Sequence, residues 1–141
     1  MSTPPAALPE LLNATLEQVA APWIRALGLR VAEATPERTV LELPVSPDVV
    51  HGGGVLCGQA MLAAADTAMV LALTAAEGAF RPMTTVQLQT SFLRPVPAET
   101  PHLQVVCTVL RRGKTLAFGE IELSTPDGRL AAHATTTYAL L

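Results

Sequence analysis

The chain has 141 residues, half of them hydrophobic and 15% charged, with a formal net charge of -3 at pH 7. That length holds one layered core and not two, so we expect a single domain, and so low a charged fraction points to surface buried between subunits. Nine Lys and Arg residues in a net acidic chain exclude nucleic acid as a principal partner, because phosphate binding draws its affinity from clustered cations.

The first 30 residues lack the basic start and continuous apolar core of a signal peptide, and we expect a cytoplasmic protein. Cys57 and Cys107 sit in apolar surroundings with no CxxC spacing and no second metal-type ligand nearby. Buried reduced thiols are therefore expected, with no zinc site and no disulfide scaffold.

Residues 8–21, LPELLNATLEQVAA, place Leu8, Leu11, Leu12, Leu16 and Val19 at helical spacing. Pro22 and Gly28 bracket WIRAL, a second short helical turn, so 1–27 is read as a helical segment and 28–141 as the core of the domain. The period then changes: LRVAEAT and RTVLELPV alternate around a Pro-Glu turn and predict a hairpin with strands at about 29–35 and 38–45. SPDVVHGGG is a glycine-rich loop, and it leads into a helix from about Leu56 to Glu77, stopped by Gly78. The run from Gly54 to Ala76 approaches the length that spans a bilayer. It is interrupted by Gln59, Asp66 and Thr67, and a mid-span Asp costs about 2.5 to 3.5 kcal/mol on insertion scales, so we expect a buried helix and no membrane partner. TTVQLQTSFL, HLQVVCTVLR, TLAFGEIELS and RLAAHATTTYALL follow as strands, with RRGK and TPDG as tight turns between the last three. An α+β arrangement, one antiparallel sheet wrapped around a helix apolar almost all round, accounts for this order.

On a helical wheel Gln59, Asp66 and Glu77 fall close together, with Thr67 and Thr74 to one side. Such a stripe is either a thin solvated edge or the working face of the helix. Ala63 and Val70 share it and Leu62 and Met69 flank it, so the carboxylate is expected to be part-buried, as ionisable groups facing functional clefts are. The helix start at Gly54 to Gln59 offers unsatisfied N–H groups and a positive dipole end to a developing oxyanion, and glycine there lets a carbonyl approach the backbone; its alternative role is a plain loop. Gly58 and Asp66 are separated by roughly 12 Å along a helix rising about 1.5 Å per residue, too far to meet one carbonyl within a subunit. A two-fold dimer with antiparallel helices sets the helix start of one subunit beside the middle of the other, so a homodimer is expected.

With these residues in place, the chain resembles the hotdog-fold acyl-CoA thioesterases of the phenylacetic-acid degradation (PaaI) type, from about Leu27 to Tyr138. The most specific stretches are GQAMLAAADTA, TTVQLQTSFLRPV, RRGKTLAFGEIEL and GRLAAHATTTY. The resemblance implies the hotdog fold, hydrolysis of an acyl-CoA thioester to a free acid and CoA, and a dimer or dimer of dimers. It implies no metal and no cofactor beyond the coenzyme A of the substrate. Members carry His-Gly-Gly ahead of the aspartate, and the family's interval of 9 residues, counted back from Asp66, reaches Cys57. Gly58 then takes the oxyanion-donor place, Cys57 replaces the histidine and Gln59 the second glycine. His51 falls where members often have an asparagine that helps hold the water or thioester, and Thr85 where a serine or threonine orients the nucleophile. An insertion of 6 residues that keeps His51-Gly52-Gly53 as the motif moves the donor to Gly52 or Gly53 instead.

Val86 and Gln87, next to Thr85, are grouped with Cys57 and Gln59 as substrate-facing residues. The basic turn Arg111, Arg112, Gly113 and Lys114 either meets the phosphates of coenzyme A or is an ordinary charged hairpin tip. In the implied chemistry the Gly58 N–H polarises the carbonyl, while Asp66 of the opposite subunit either deprotonates a water or attacks to give a mixed anhydride. Two rivals remain: an acyl-thioester hydratase or dehydratase, in which His51 serves with a carboxylate, and an acyl-CoA binding module without chemistry.

Overall fold

Leu8, Leu12 and Leu16 recur every four residues and all are buried, which seats helix α1 (Leu8–Val19) on the sheet. Ala20 turns extended and Pro22 opens the short helix α2 (Pro22–Arg25), since proline suits the first helical turn and pushes the residue before it out of helical geometry. The computed structural model describes residues 7–141; residues 1–6, the start of the expected helical segment, lie outside the described residues.

The hairpin expected next is present as β1 (Arg30–Ala34) and β2 (Arg38–Pro44). The long helix α3 runs Gly58–Glu77, two residues shorter at its start than the apolar run suggests. Leu56 forms a bridge with Val50, and the Leu56 and Cys57 N–H groups donate to the Val96 and Val49 carbonyls. Those partners hold the segment extended until the helix begins. Gly78 ends α3 with a φ of 81°, a left-handed conformation that glycine adopts without strain. The strands β3 (Met83–Phe92), β4 (His102–Arg112), β5 (Leu116–Ser124) and β6 (Leu130–Leu140) complete the chain.

All pairings are antiparallel, and the sheet order is β1-β2-β4-β5-β6-β3. It curves around α3, as expected for the hotdog architecture. By length and composition α3 qualifies as a bilayer span, yet 67% of that stretch is buried inside the fold. The helix side of the contact is made close by alanines, with Ala64, Ala65 and Ala68 fully buried. Gly119 on β5 allows the tightest approach: a Cβ there would lie 2.5 Å from the Met69 sulfur. Cys107 is buried beside the same methionine, 3.8 Å from its sulfur, and burial pushes its thiol up to about 12. Both cysteines are free; Cys107 is buried as expected and held as an unreactive thiol, whereas Cys57 is only half-buried.

The two edges of the sheet are treated differently. On β1, the Asn13 side chain of α1 pairs with the backbone of Val31 in both directions, accepting from its N–H at 2.9 Å and donating to its carbonyl at 3.2 Å. That amide does for the edge what a neighbouring strand does elsewhere. At the other edge β3 pairs, among the described residues, only with β6 and is exposed along most of its ten residues.

Candidate active site

Asp66 lies midway along α3, half-buried, above the point where β3 and β6 pair. Thr85 and Tyr138 are direct partners across those two strands, and both hydroxyls turn toward the carboxylate. Thr85 Oγ1 donates to Asp66 Oδ1 at 2.8 Å. The Tyr138 hydroxyl is 2.5 Å from the same Oδ1 and 3.0 Å from the Asp66 main-chain oxygen. Two donors thus converge on one carboxylate oxygen, and neither engages Oδ2. Burial, and then its hydrogen bond to Asp66, push the Tyr138 phenol well above its ordinary range, so it remains a neutral donor at any physiological pH.

Asp66 lines a groove of about 540 Å³ together with Gln59 and Thr67 from the same helix. The rest of its lining is apolar, supplied by Leu62, Ala63, Val70 and Leu71 of α3, Leu88 of β3 and residues of α1 and α2. A low-dielectric wall around a held carboxylate is the setting in which proton transfer and nucleophilic attack are effective.

Gly58 opens α3, and its neighbour Cys57 at the N-cap makes no side-chain cap hydrogen bond. The donors of the first turn are therefore free of the usual side-chain acceptor. A Cβ on Gly58 would sit 3.3 Å from the Phe92 ring, and the residue borders a separate depression of about 250 Å³ lined by Phe92, Leu93, Arg94 and Pro95. Within one chain Gly58 and Asp66 face different cavities, in line with their roughly 12 Å axial separation.

The remaining sequence candidates are spread out. His51 is exposed, and its Nδ1 accepts the Gly53 N–H at 2.8 Å within its own loop. The Gly53 donor is thereby committed, and a Cβ on Gly53 would run into the imidazole at 2.6 Å. Among the described contacts His51 makes none to Asp66, so the paired histidine and carboxylate of a hydratase are not formed within one chain. Cys57 is half-buried behind the helix start. Val86 sits at a bulge in the β3–β6 pairing and is 60% exposed, and Gln87 beside it is exposed as well, its carbonyl accepting from Thr136 Oγ1 at 2.7 Å. Arg111 and Lys114 are exposed at the β4–β5 tip, Gly113 closes that turn on Leu116, and Arg112 reaches Glu77 at the far end of α3, at 3.4 Å. Among the described residues no cluster of His, Cys, Asp and Glu is arranged to hold a metal.

Sequence reasoning brought Asp66 and Thr85 together but missed Tyr138. The available signal was that this is the chain's single tyrosine, on an inward-facing strand position, where a phenol needs a partner for its hydroxyl. It also assigned no role to α1 and α2, which wall the groove.

The architecture is shared with proteins across wide distances. Zebrafish thioesterase superfamily member 2 superposes with a TM-score of 0.84 at 21% identity, covering 99% of this chain and 100% of that one. The E. coli PaaI protein from the phenylacetic acid degradation operon gives 0.83 at 18% identity, covering 99% and 96%. In sequence, a protein of Saccharolobus solfataricus named as an esterase is 30% identical over 115 residues, which is 82% of this chain and 80% of that protein. Residues 49–132 match the family model described as the thioesterase superfamily, and on that match the chain belongs to the thioesterase superfamily, the thioester hydrolases of the hotdog fold.

Proposed function

We propose that the protein hydrolyses acyl-CoA thioesters in a two-fold dimer, with Asp66 of one subunit and the Gly58 N–H of the other acting on one carbonyl. The observation that carries this reading is the double hold of Thr85 and Tyr138 on Asp66 Oδ1. It leaves Oδ2 as the reacting atom and fixes the direction in which it points.

Two routes use the same placement. As a general base, Oδ2 takes a proton from a water whose oxygen bonds to the thioester carbon. The carbonyl oxygen becomes an oxyanion held by the helix-start N–H, the C–S bond then breaks, and the departing thiolate takes the proton back from the Asp66 carboxyl. As a nucleophile, Oδ2 bonds to the carbon itself, the thiolate leaves from a mixed anhydride, and water cleaves the anhydride to restore the carboxylate.

The uncovered edge of β3 supports the dimer, because a long unpaired strand edge is a template for another chain. A two-fold axis there pairs β3 with its copy and runs the two α3 helices antiparallel. The C-terminal end of one α3, where Arg81 and Arg112 meet Glu77, then points past the partner's helix start.

Thiol release from short, medium, long and aryl acyl-CoA esters tests the reading. Wild-type protein is expected to turn over at least one class, and Asp66→Asn to lose at least about a hundredfold in kcat while staying folded. Wild-type rates in Asp66→Asn would overturn the assignment; tight acyl-CoA binding without thiol release from wild type would favour the binding module.

A further inference from the structure

The groove that holds Asp66 is closed by the N-terminal helices. Val19 at the end of α1 and Trp23 and Ile24 on α2 form one wall, and Val70 of α3 and Leu88 of β3 form part of the other. Along its floor the groove follows α3 from Gln59 to Leu71, roughly 18 Å at the helical rise, with Asp66 near the middle. Its volume of about 540 Å³ is that of a small-molecule site.

Trp23 is 62% exposed and Val19 41%. Two large apolar side chains on the lip of an apolar groove, left uncovered by the described residues, fit a surface that is completed by a ligand. Among the described residues no Lys, Arg or His lines the groove, so they offer no counter-charge for a dicarboxylate or other anionic acyl group.

We infer that the cleft between the α1–α2 corner and α3 is the acyl-binding site, that the substrates are straight-chain acyl thioesters of medium length, and that Trp23 closes over the chain and sets the length preference. This rests on the assignment of Asp66 above. A straight chain is favoured over an aryl group by shape: the groove is elongated along the helix, and a single ring would fill only a part of it. In the dimer proposed above, the partner's helix start reaches the Asp66 side of the groove, and the acyl chain takes the part walled by Val19, Trp23 and Ile24, which leaves Asp66 Oδ2 to the water and the thioester.

Trp23 is the chain's single tryptophan, so its fluorescence reports the site without any turnover. The Asp66→Asn protein is titrated with hexanoyl-, octanoyl- and decanoyl-CoA, phenylacetyl-CoA and CoA alone, with binding followed in parallel by calorimetry. The expected result is a saturable blue shift with the straight-chain esters, affinity rising about fourfold per methylene, and no shift with CoA alone. In the active protein, Trp23→Ala should flatten the rise of kcat/KM with chain length. The inference is overturned if calorimetry detects acyl-CoA binding while Trp23 emission stays silent, if phenylacetyl-CoA binds more tightly than octanoyl-CoA, or if Trp23→Ala keeps the wild-type chain-length profile. It is also overturned if Trp23 is already blue-shifted in the free protein and Trp23→Ala breaks an oligomer, since a second copy then fills the groove. A Trp23 shift beside a wild-type protein that releases no thiol from any of these esters would refute the Asp66 chemistry and leave the acyl site standing; thiol release by wild type with a silent Trp23 would do the reverse.

Discussion

The Tyr138 hydroxyl grips Asp66 at two points, 2.5 Å from Oδ1 and 3.0 Å from the main-chain oxygen of the same residue. It ties the direction of the carboxylate to the helix that carries it. Thr85, the cross-strand partner of Tyr138, adds a second donor to the same oxygen, so the rotamer of Asp66 is set by two strands at once.

Removing either donor should loosen the carboxylate without unfolding the protein. A hydrogen bond to a charged group is worth about 1.5 to 3 kcal/mol, so Tyr138→Phe and Thr85→Val should each lower kcat by roughly ten- to a hundredfold with little change in KM. The double variant should fall short of the product of the two, because both act on one oxygen. Steady-state kinetics of the three variants checks this, and unchanged kcat in Tyr138→Phe would remove the positioning role.

Gly58 can lose its N–H with little disturbance to the helix. It occupies the first position of α3, where proline is tolerated, and Cys57 before it is already extended at φ -71° and ψ 146°, as a following proline requires. Gly58→Ala keeps the donor and makes the same contact with the Phe92 ring, 3.3 Å from the new Cβ. We expect Gly58→Pro to lose about a hundred- to a thousandfold in kcat and Gly58→Ala to retain most of it. Equal losses in the two would trace the effect to crowding at Phe92.

Asn13 should matter for stability and not for chemistry. Its amide satisfies both backbone groups of Val31 on an edge strand, and leaving a buried or half-buried pair unmet costs about 1 to 3 kcal/mol. Asn13→Ala should show that loss in urea unfolding with no change of the denaturant slope. A variant as stable as wild type would mean that water replaces the amide without penalty.

Stability should fall in alkali. The Cys107 thiol ordinarily titrates at 9.0 and is pushed up to about 12 by burial, and Tyr138 is raised above its ordinary 10.0 by burial and by Asp66. Between those limits the unfolded chain has lost protons that the folded chain keeps, so stability is full below pH 9.0 and declines as pH rises. Each group contributes a slope of about 1.4 kcal/mol per pH unit once its unfolded form is ionised. Urea midpoints measured from about pH 8 to about pH 11 should show the decline, and Cys107→Ala should delay its onset until tyrosine titrates. A Cys107→Ala curve that begins to fall with the wild-type one would exclude the thiol as the cause.

Much of this architecture was legible in the sequence because period and punctuation agree. Leu8, Leu12 and Leu16 fix one helix, and the alternation in HLQVVCTVLR and TLAFGEIELS fixes two strands. Asp66 stood out as a lone acid among alanines. The sheet order was not legible, because β3 is followed in sequence by β4 but lies at the far edge beside β6, and nothing in local spacing records a crossing made by residues 93–101. Tyr138 was missed for the same reason: its hydroxyl meets Asp66 only through the register that sets it opposite Thr85, and register is a property of two strands. That Trp23 lines the same groove as α3 depends on how the α1–α2 corner packs, which no single helix pattern specifies.

The central claim, that Asp66 and Gly58 act on one carbonyl from opposite subunits, is tested most directly by mixing two inactive proteins. Asp66→Asn and Gly58→Pro subunits are unfolded together, refolded and assayed for thiol release. If the site is shared, each mixed dimer holds one doubly defective site and one intact site, and random pairing restores about a quarter of wild-type activity. If both residues serve one site within a subunit, every site in the mixture carries a defect, and activity no higher than that of the separate variants would contradict the account.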